Sequence, residues 1–266
     1  MKDWLNIAGK TVIVTGGSSG IGKRIVESLL EQGVNVANFD LTEATQQHDN
    51  LLFVETDISV REEVESGVEK VIERFGTVDG LVNNAGINIP RLLVDKKDPH
   101  GKYELSDPIF DKMSAINQKG VFLMTQTVAR ELVNKKSGVI INMSSESGLE
   151  GSEGQSAYAA TKAALNSYTR SWAKELGKSN VRVVGIAPGI MEETGLRTSA
   201  YEEALAYTSG TTVEKLREGY TKTSTIPLGR SGKLTEVADL VCYYLSDRSS
   251  YITGVTTNVA GGKTRG

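Results

Sequence analysis

Residues 11–22 decide the fold: Thr11-Val12-Ile13-Val14-Thr15-Gly16-Gly17-Ser18-Ser19-Gly20-Ile21-Gly22. Thr11 to Thr15 is short, β-branched and free of charge, as a strand buried on both faces of a sheet should be. Ile21 to Leu30 has the pattern of a helix, and Gly33 ends it. The Gly/Ser turn thus links a buried strand to a helix start. There its glycines have separate uses. Gly16 permits a tight turn, Gly20 lets a pyrophosphate approach the backbone at Ser19 and Ile21, and Gly22 lets the helix pack close on the strand. The amides and dipole of the helix start favour phosphate charge. Alone, such a turn is weak evidence. Between a first strand and a helix it is a dinucleotide-binding signal.

Outward from this unit the alternation continues. Val34 to Phe39, Leu51 to Val54 and Gly80 to Val82 read as strands, with a helix over Val60 to Phe75. A long helix is expected from Ile109 to Asn134 and further strands over Gly138 to Asn142, Val181 to Ile186 and Val255 to Val259. Helices are expected over Ser156 to Leu176 and Leu234 to Leu245. This order predicts an α/β fold: a single Rossmann-type, doubly wound parallel sheet of about seven strands, with helices on both faces. No repeat or low-complexity linker divides the chain, so 1–266 is expected to be a single NAD-binding catalytic domain. Two segments break the rhythm, 87–106 and 191–227, the second with a short helix expected near Tyr201 to Tyr207. Both follow C-terminal strand ends, where open α/β sheets bind ligands, and so are expected to wall a substrate site.

The bulk composition restricts the function. The chain has 266 residues, 39% of them hydrophobic, enough for a sizeable core. A net charge of −3 leaves no basic footprint for nucleic acid, so a small-molecule substrate is expected. No apolar run approaches the ~18 residues of a membrane span. Met1-Lys2-Asp3-Trp4 is not followed by the apolar core of a secretory leader. Cys242 is the single cysteine, so no internal disulfide can form. In the apolar run Val237 to Leu245 it reads as a small buried hydrophobe. These features point to the cytoplasm and away from a membrane. His48 and His100 lack ligand spacing, so no metal is expected.

Asp40 ends the second strand, 18 residues past Gly22. A carboxylate there can accept both hydroxyls of an adenosine ribose and would repel a 2′-phosphate. No Arg or Lys follows it, so NAD is expected over NADP. Asp57, with Ile58 beside it, ends the third strand and is placed to accept from an adenine amino group; the alternative is a helix-entry residue. Asn83-Asn84-Ala85-Gly86 ends the fourth strand with residues small enough for adenine and ribose to lie against. Tyr158 and Lys162 are four apart and share one helix face. A tyrosine pKa near ~10 is too high for a base at neutral pH, whereas an ammonium and an oxidised nicotinamide both favour the phenolate. Reaching ~7 needs about 4 kcal/mol, reasonable for lysine plus cofactor together. Many helices carry Tyr and Lys at this spacing by chance. The neighbours decide: Ser145 lies 13 residues before Tyr158, where it could hydrogen-bond the reacting oxygen, and Asn117 lies in the long helix before that strand.

Together, Thr15-Gly16-x-x-x-Gly20-x-Gly22, Asn83-Asn84-Ala85-Gly86, Asn117, Ser145, Tyr158-x-x-x-Lys162 and Pro188-Gly189 resemble the short-chain dehydrogenase/reductase family, in order and over nearly the whole chain. The resemblance implies a dehydrogenase acting on a CH–OH group. It implies Tyr158 as general acid/base and Lys162 as the group that tunes it and holds the nicotinamide ribose. Ser145 would orient the substrate oxygen, and Asn117 would steady a water in a proton relay. Ile190 and Thr194 would line the carboxamide. It also implies a homotetramer. Ser144 is off by one in spacing and is not chosen.

A narrower likeness lies in Ile89 to Asp95, Ser144 to Gln155 and Ala260 to Gly266, which look like sugar-alcohol phosphate dehydrogenases of Gram-positive bacteria. It implies oxidation of D-sorbitol 6-phosphate to D-fructose 6-phosphate with NAD. A dianionic ester calls for Arg or Lys. Arg91, Lys97 and Arg197 lie in the two insertions, and Lys263 and Arg265 lie in a tail that could reach a neighbouring subunit. Each also fits a solvated surface charge. Glu146 and Ser147 are polar enough to suit a polyol and argue against a greasy ketone. The alternatives are a dehydrogenase of another polyol or sugar, an acyl-carrier-protein reductase, disfavoured by Asp40, and a non-catalytic NAD-binding sensor. The last should show damage in the catalytic set.

Overall fold

Strands β1 (Thr11–Thr15), β2 (Asn35–Asp40), β3 (Leu51–Glu55), β4 (Gly80–Asn83), β5 (Gly138–Met143), β6 (Val181–Pro188) and β7 (Thr256–Val259) form one parallel sheet in the order β3-β2-β1-β4-β5-β6-β7. The structure is a computed structural model and describes residues 4–44, 47–192, 197–221 and 225–263. The helices are α1 (Gly20–Glu31), α2 (Arg61–Phe75), α3 (Asp107–Ser114), α4 (Val121–Lys135), α5 (Ser147–Glu150), α6 (Ser156–Leu176), α7 (Ser199–Thr208), α8 (Val213–Thr221) and α9 (Leu234–Leu245).

Strand periodicity divides the core between the two faces. Val12, Val14, Ile141, Val184 and Ile186 face Ile25 and Leu29 of α1 and Val237, Val241 and Leu245 of α9. Ile13, Phe39, Leu81, Ile140 and Val183 face Val64 and Val68 of α2 and Leu123, Val128 and Leu132 of α4. Each such buried aliphatic contributes about 1.5–3 kcal/mol. Cys242 is buried in the first of these layers, and burial pushes its thiol up to about 12, so it packs as a hydrophobe.

The chain steps outward from β1 to β2 and β3, then returns to place β4 on the other side of β1. The carboxyl ends of β1 and β4 therefore flank the point where strand order reverses, and ligands of such sheets bind there. The expected long helix at 109–134 is instead two helices joined by a π turn at Ala115–Gly120. Its wider turn carries the buried Asn117, and such turns often sit at functional sites. Helices α5 and α8 were not apparent in the sequence, whereas α7 covers the short helix expected near Tyr201 to Tyr207.

The two insertions pack on each other. Arg91 bridges to Gln155 in parallel β fashion. The Tyr207 hydroxyl of α7 donates to Asp95 at 2.7 Å, and the Tyr103 and Tyr207 rings stack at 4.2 Å. Asp95 also accepts from the Lys97 and Asp98 amides and sits well below the usual carboxylate range because the Tyr207 hydroxyl donates to it. In return, that bond pushes Tyr207 up to about 12.

Candidate active site

At the end of β1 the chain turns through Gly16 with φ +66°, a left-handed conformation that glycine adopts without strain. A Cβ there would stand 2.9 Å from the Ala85 Cα. A Cβ on Gly22 would collide with the Gly16 carbonyl oxygen and the Asn84 side-chain amide, so the first turn of α1 lies directly on the strand ends. Thr15 and Asn84 lock the junction. The Thr15 hydroxyl accepts from the Asn84 and Ala85 amides, each at 3.0 Å, and the Asn84 amide donates to the Thr15 and Gly16 carbonyls. Asn38 of β2 ties the loop down, accepting from the Gly17 amide at 3.0 Å and donating to the Ser18 hydroxyl at 2.9 Å.

A cavity of about 310 Å³ runs along these strand ends. It is lined by Gly16, Ser19, Gly20, Ile21, Gly22, Asp40, Asp57, Ile58, Asn84, Ala85, Gly86, Tyr158, Lys162 and Pro188. At its mouth, α1 begins with Ser19 making no side-chain cap and no acid in its first turn, while α2 carries Glu62 and Glu63 in the same position. An uncapped, acid-free helix start suits a pyrophosphate. Asp40 accepts from the Ser18 amide at 3.0 Å and the Leu41 amide at 2.8 Å, and pairs with no described cation. One oxygen of Asp57 accepts from the Ser59 amide and hydroxyl, so this residue anchors the entry to α2 and also lines the cavity. The glycine cradle, helix start and unpaired Asp40 fit a dinucleotide with a free ribose.

The reactive group is assembled from β5, α6 and the π turn. Tyr158 lines one cavity with Ser145, which acts to lower its pKa, and Lys162 Nζ lies 5.8 Å from the centre of the Tyr158 ring. Lys162 donates to the Met143 carbonyl at 2.8 Å. Ser144, by contrast, donates to the Lys162 carbonyl at 3.0 Å and braces α6. The Asn117 side chain accepts from the Ile87 amide at 2.9 Å and donates to the Ile87 carbonyl at 2.8 Å and to Thr161 at 3.1 Å. It thereby ties the end of β4 to α6. Beneath it runs a buried chain that sequence reading missed: Asn83 donates to Thr125 and Asn142, and Asn142 donates to Thr169. Only the isolated polar residues in apolar strands could have signalled it.

Burial raises the Tyr158 pKa, as does nearby Glu146, against the lowering effect of the Ser145 hydrogen bond. Burial also lowers Lys162 to about 8. In the protein alone, burial holds Tyr158 above its ordinary pKa, and a bound cation beside it would favour the phenolate.

A second cavity of about 520 Å³ meets the first at Ser144, Tyr158 and Pro188. It is lined by Ser145, Glu146, Ser147, Gly189, Ile190, Arg197, Lys215 and Lys263, with Tyr201 and Tyr220. Lys263 turns back onto its own chain, where it pairs with Glu146 at 2.7 Å. Arg91 does not line this cavity. It donates to its own Pro90 carbonyl and, with Lys102 and Lys112, lines a neighbouring one of about 300 Å³. Lys97 lines neither, its ammonium lying 5.8 Å from the Tyr207 ring centre. Lys97 is fixed by its amide's bond to Asp95, and Arg91 by its bonds to the Pro90 and Gly154 carbonyls. Lys215 was missed because α8 was not anticipated. Thr194 and Arg265 lie outside the described residues.

Sheet, glycine turn and Tyr–Lys pair together define a nucleotide-dependent oxidoreductase. A family model for short chain dehydrogenases matches residues 10–205, and the chain belongs to that family. It is 63% identical over 268 residues to the sorbitol-6-phosphate 2-dehydrogenase of Klebsiella pneumoniae, covering 100% of both chains. It is 36% identical over 270 residues to a 3-oxoacyl-(acyl-carrier-protein) reductase of Thermotoga maritima, covering 97% of this chain and 99% of that one. The crystal structure of the 3-ketoacyl-(acyl-carrier-protein) reductase of Brucella melitensis complexed with NADH matches with a TM-score of 0.81 at 29% identity, over 98% of this chain and 100% of that one. Among the described residues no helix is long and apolar enough to cross a membrane.

Proposed function

We propose that the protein oxidises a sugar-alcohol phosphate with NAD, converting D-sorbitol 6-phosphate to D-fructose 6-phosphate. The observation that carries this is the 63% identity, over the whole of both chains, to an enzyme of that name. The larger cavity agrees, since its hydroxyl, carboxylate and ammonium groups suit a charged polyol better than an acyl chain.

In this reading Gly16, Ser19, Gly20, Ile21 and Gly22 hold the pyrophosphate and Asp40 the adenosine ribose. Asp57 and Ile58 receive the adenine, with Asn84, Ala85 and Gly86 along the strand end. Pro188, Gly189 and Ile190 border the nicotinamide. When bound, NAD accepts the hydride from the carbinol carbon. Tyr158, as the phenolate, takes the proton of the substrate hydroxyl. Ser145 hydrogen-bonds the same oxygen and keeps it on Tyr158. Lys162 hydrogen-bonds the nicotinamide ribose and, as an ammonium, favours the phenolate. The Asn117 side chain donates to Ile87 and Thr161 and accepts from Ile87, so it ties the end of β4 to α6 beside Lys162.

The described elements make up one NAD-binding catalytic domain within 1–266, with walls from 87–106 and 191–227. We place the protein in the cytoplasm as a homotetramer. The partly exposed Phe110 and Phe122 on α3 and α4 supply apolar surface for packing between subunits. The test is product identity. Incubation with NAD and D-sorbitol 6-phosphate should yield D-fructose 6-phosphate by carbon NMR; a different ketose phosphate, or none, refutes the reading.

A further inference from the structure

The larger cavity holds the catalytic hydroxyls and, from three separate segments, three cations. Arg197 follows β6, Lys215 lies on α8 and Lys263 follows β7. Arg197 is stacked on Tyr220, 4.0 Å from the ring centre, and donates one guanidinium N–H to the Met191 carbonyl at 2.5 Å. Its remaining donors make no ion pair with a described carboxylate. Lys215 is exposed and likewise forms no ion pair with a described carboxylate. Lys263 is held against Glu146. The other cavity carboxylate, Glu192, accepts from the Leu234 amide at the start of α9 at 2.8 Å. Both carboxylates therefore have partners, while Arg197 and Lys215 pair with no carboxylate among the described residues.

Resting on the polyol-phosphate reading, we infer that Arg197, Lys215 and Lys263 form the subsite that receives the phosphate, in the same cavity as Ser145 and Tyr158. A phosphate monoester carries about −1.5 to −2 charge at pH 7 and three acceptor oxygens. It matches a guanidinium and an ammonium that pair with no described carboxylate, and an ammonium kept in place by Glu146. The ester must share one space with the carbon that reacts at Ser145 and Tyr158, and the larger cavity holds both the hydroxyls and the cations. The neighbouring cavity with Arg91, Lys102 and Lys112 has cations but neither catalytic hydroxyl. Lys102 there already faces Glu203 at 4.0 Å. Phosphate binding by three segments far apart in sequence would tie α8 and the end of the chain to the catalytic loop, which accounts for an enzyme that discriminates by phosphate.

The test compares Lys215→Ala, Lys263→Ala and Arg91→Ala for the KM of D-sorbitol 6-phosphate and for competitive inhibition by inorganic phosphate. NADH fluorescence confirms that each variant folds and binds cofactor. Lys215→Ala and Lys263→Ala should each raise that KM by about ten- to a hundredfold, the worth of one charge-assisted hydrogen bond, and weaken inhibition by phosphate. In Lys215→Ala kcat should change little, and Lys215→Arg should restore most of the KM. An unchanged KM in both Lys→Ala variants, or a rise confined to Arg91→Ala, overturns the subsite. Failure of the underlying reading looks different: the unmodified protein itself would not prefer the phosphate ester to D-sorbitol.

Discussion

At the scale of single residues, Tyr158 and Lys162 are the pair to which the proposed function gives the proton transfer. Burial holds the tyrosine above its ordinary pKa and the lysine near about 8. A cationic ligand beside them favours the phenolate. Difference absorbance of the phenolate should therefore show Tyr158 titrating above ordinary tyrosine, and NAD should move that titration down. A titration unmoved by NAD would contradict the role given to the cofactor charge. Lysine also leaves a mark on stability. Its pKa is depressed from 10.5, so between about 8 and 10.5 the unfolded chain binds more protons and stability rises with pH. Full recovery is about 3 kcal/mol. Urea unfolding at both ends of that window should show the rise in the native protein and lose most of it in Lys162→Met. Asp40 is also tested singly. Asp40→Ala should shift the NAD:NADP ratio of kcat/KM toward NADP, and an unchanged ratio would remove its ribose role.

At the scale of elements, the regular parts were legible and the joints were not. Helices α6 and α9 match their expected limits because apolar spacing continues to their ends. The π turn kept the apolar pattern of α3 and α4 and so looked like one helix. The insertions were seen as site walls, but their mutual anchor could not be. Asp95 and Tyr207 are 112 residues apart, and nothing local marks either as a partner. Tyr207→Phe removes one donor from a buried carboxylate, which should cost about 1–3 kcal/mol in urea unfolding. It should also raise the polyol-phosphate KM, because α7 borders the cavity. A loss of stability with KM unchanged would separate this anchor from the site.

At the scale of the whole molecule, strand–helix alternation and one glycine turn were enough to give a parallel sheet with its ligand edge. The sheet order places Gly16, Asn84, Ser145 and Tyr158 at that edge from four different segments. Residue types and spacing pointed to them before the fold did. The substrate cations were less legible. Arg91 and Lys97 had the right charge in the right insertion, yet they do not line the larger cavity, and Lys215 sat on an unforeseen helix. The measurement that tests the central claim most directly is the rate of NADH formation with D-sorbitol 6-phosphate against D-sorbitol, in the native protein and in Tyr158→Phe. A rate with the phosphate ester far above that with the free polyol, lost in Tyr158→Phe while NADH still binds, is the expected result. Equal rates on the two substrates, or turnover that survives Tyr158→Phe, would contradict the account.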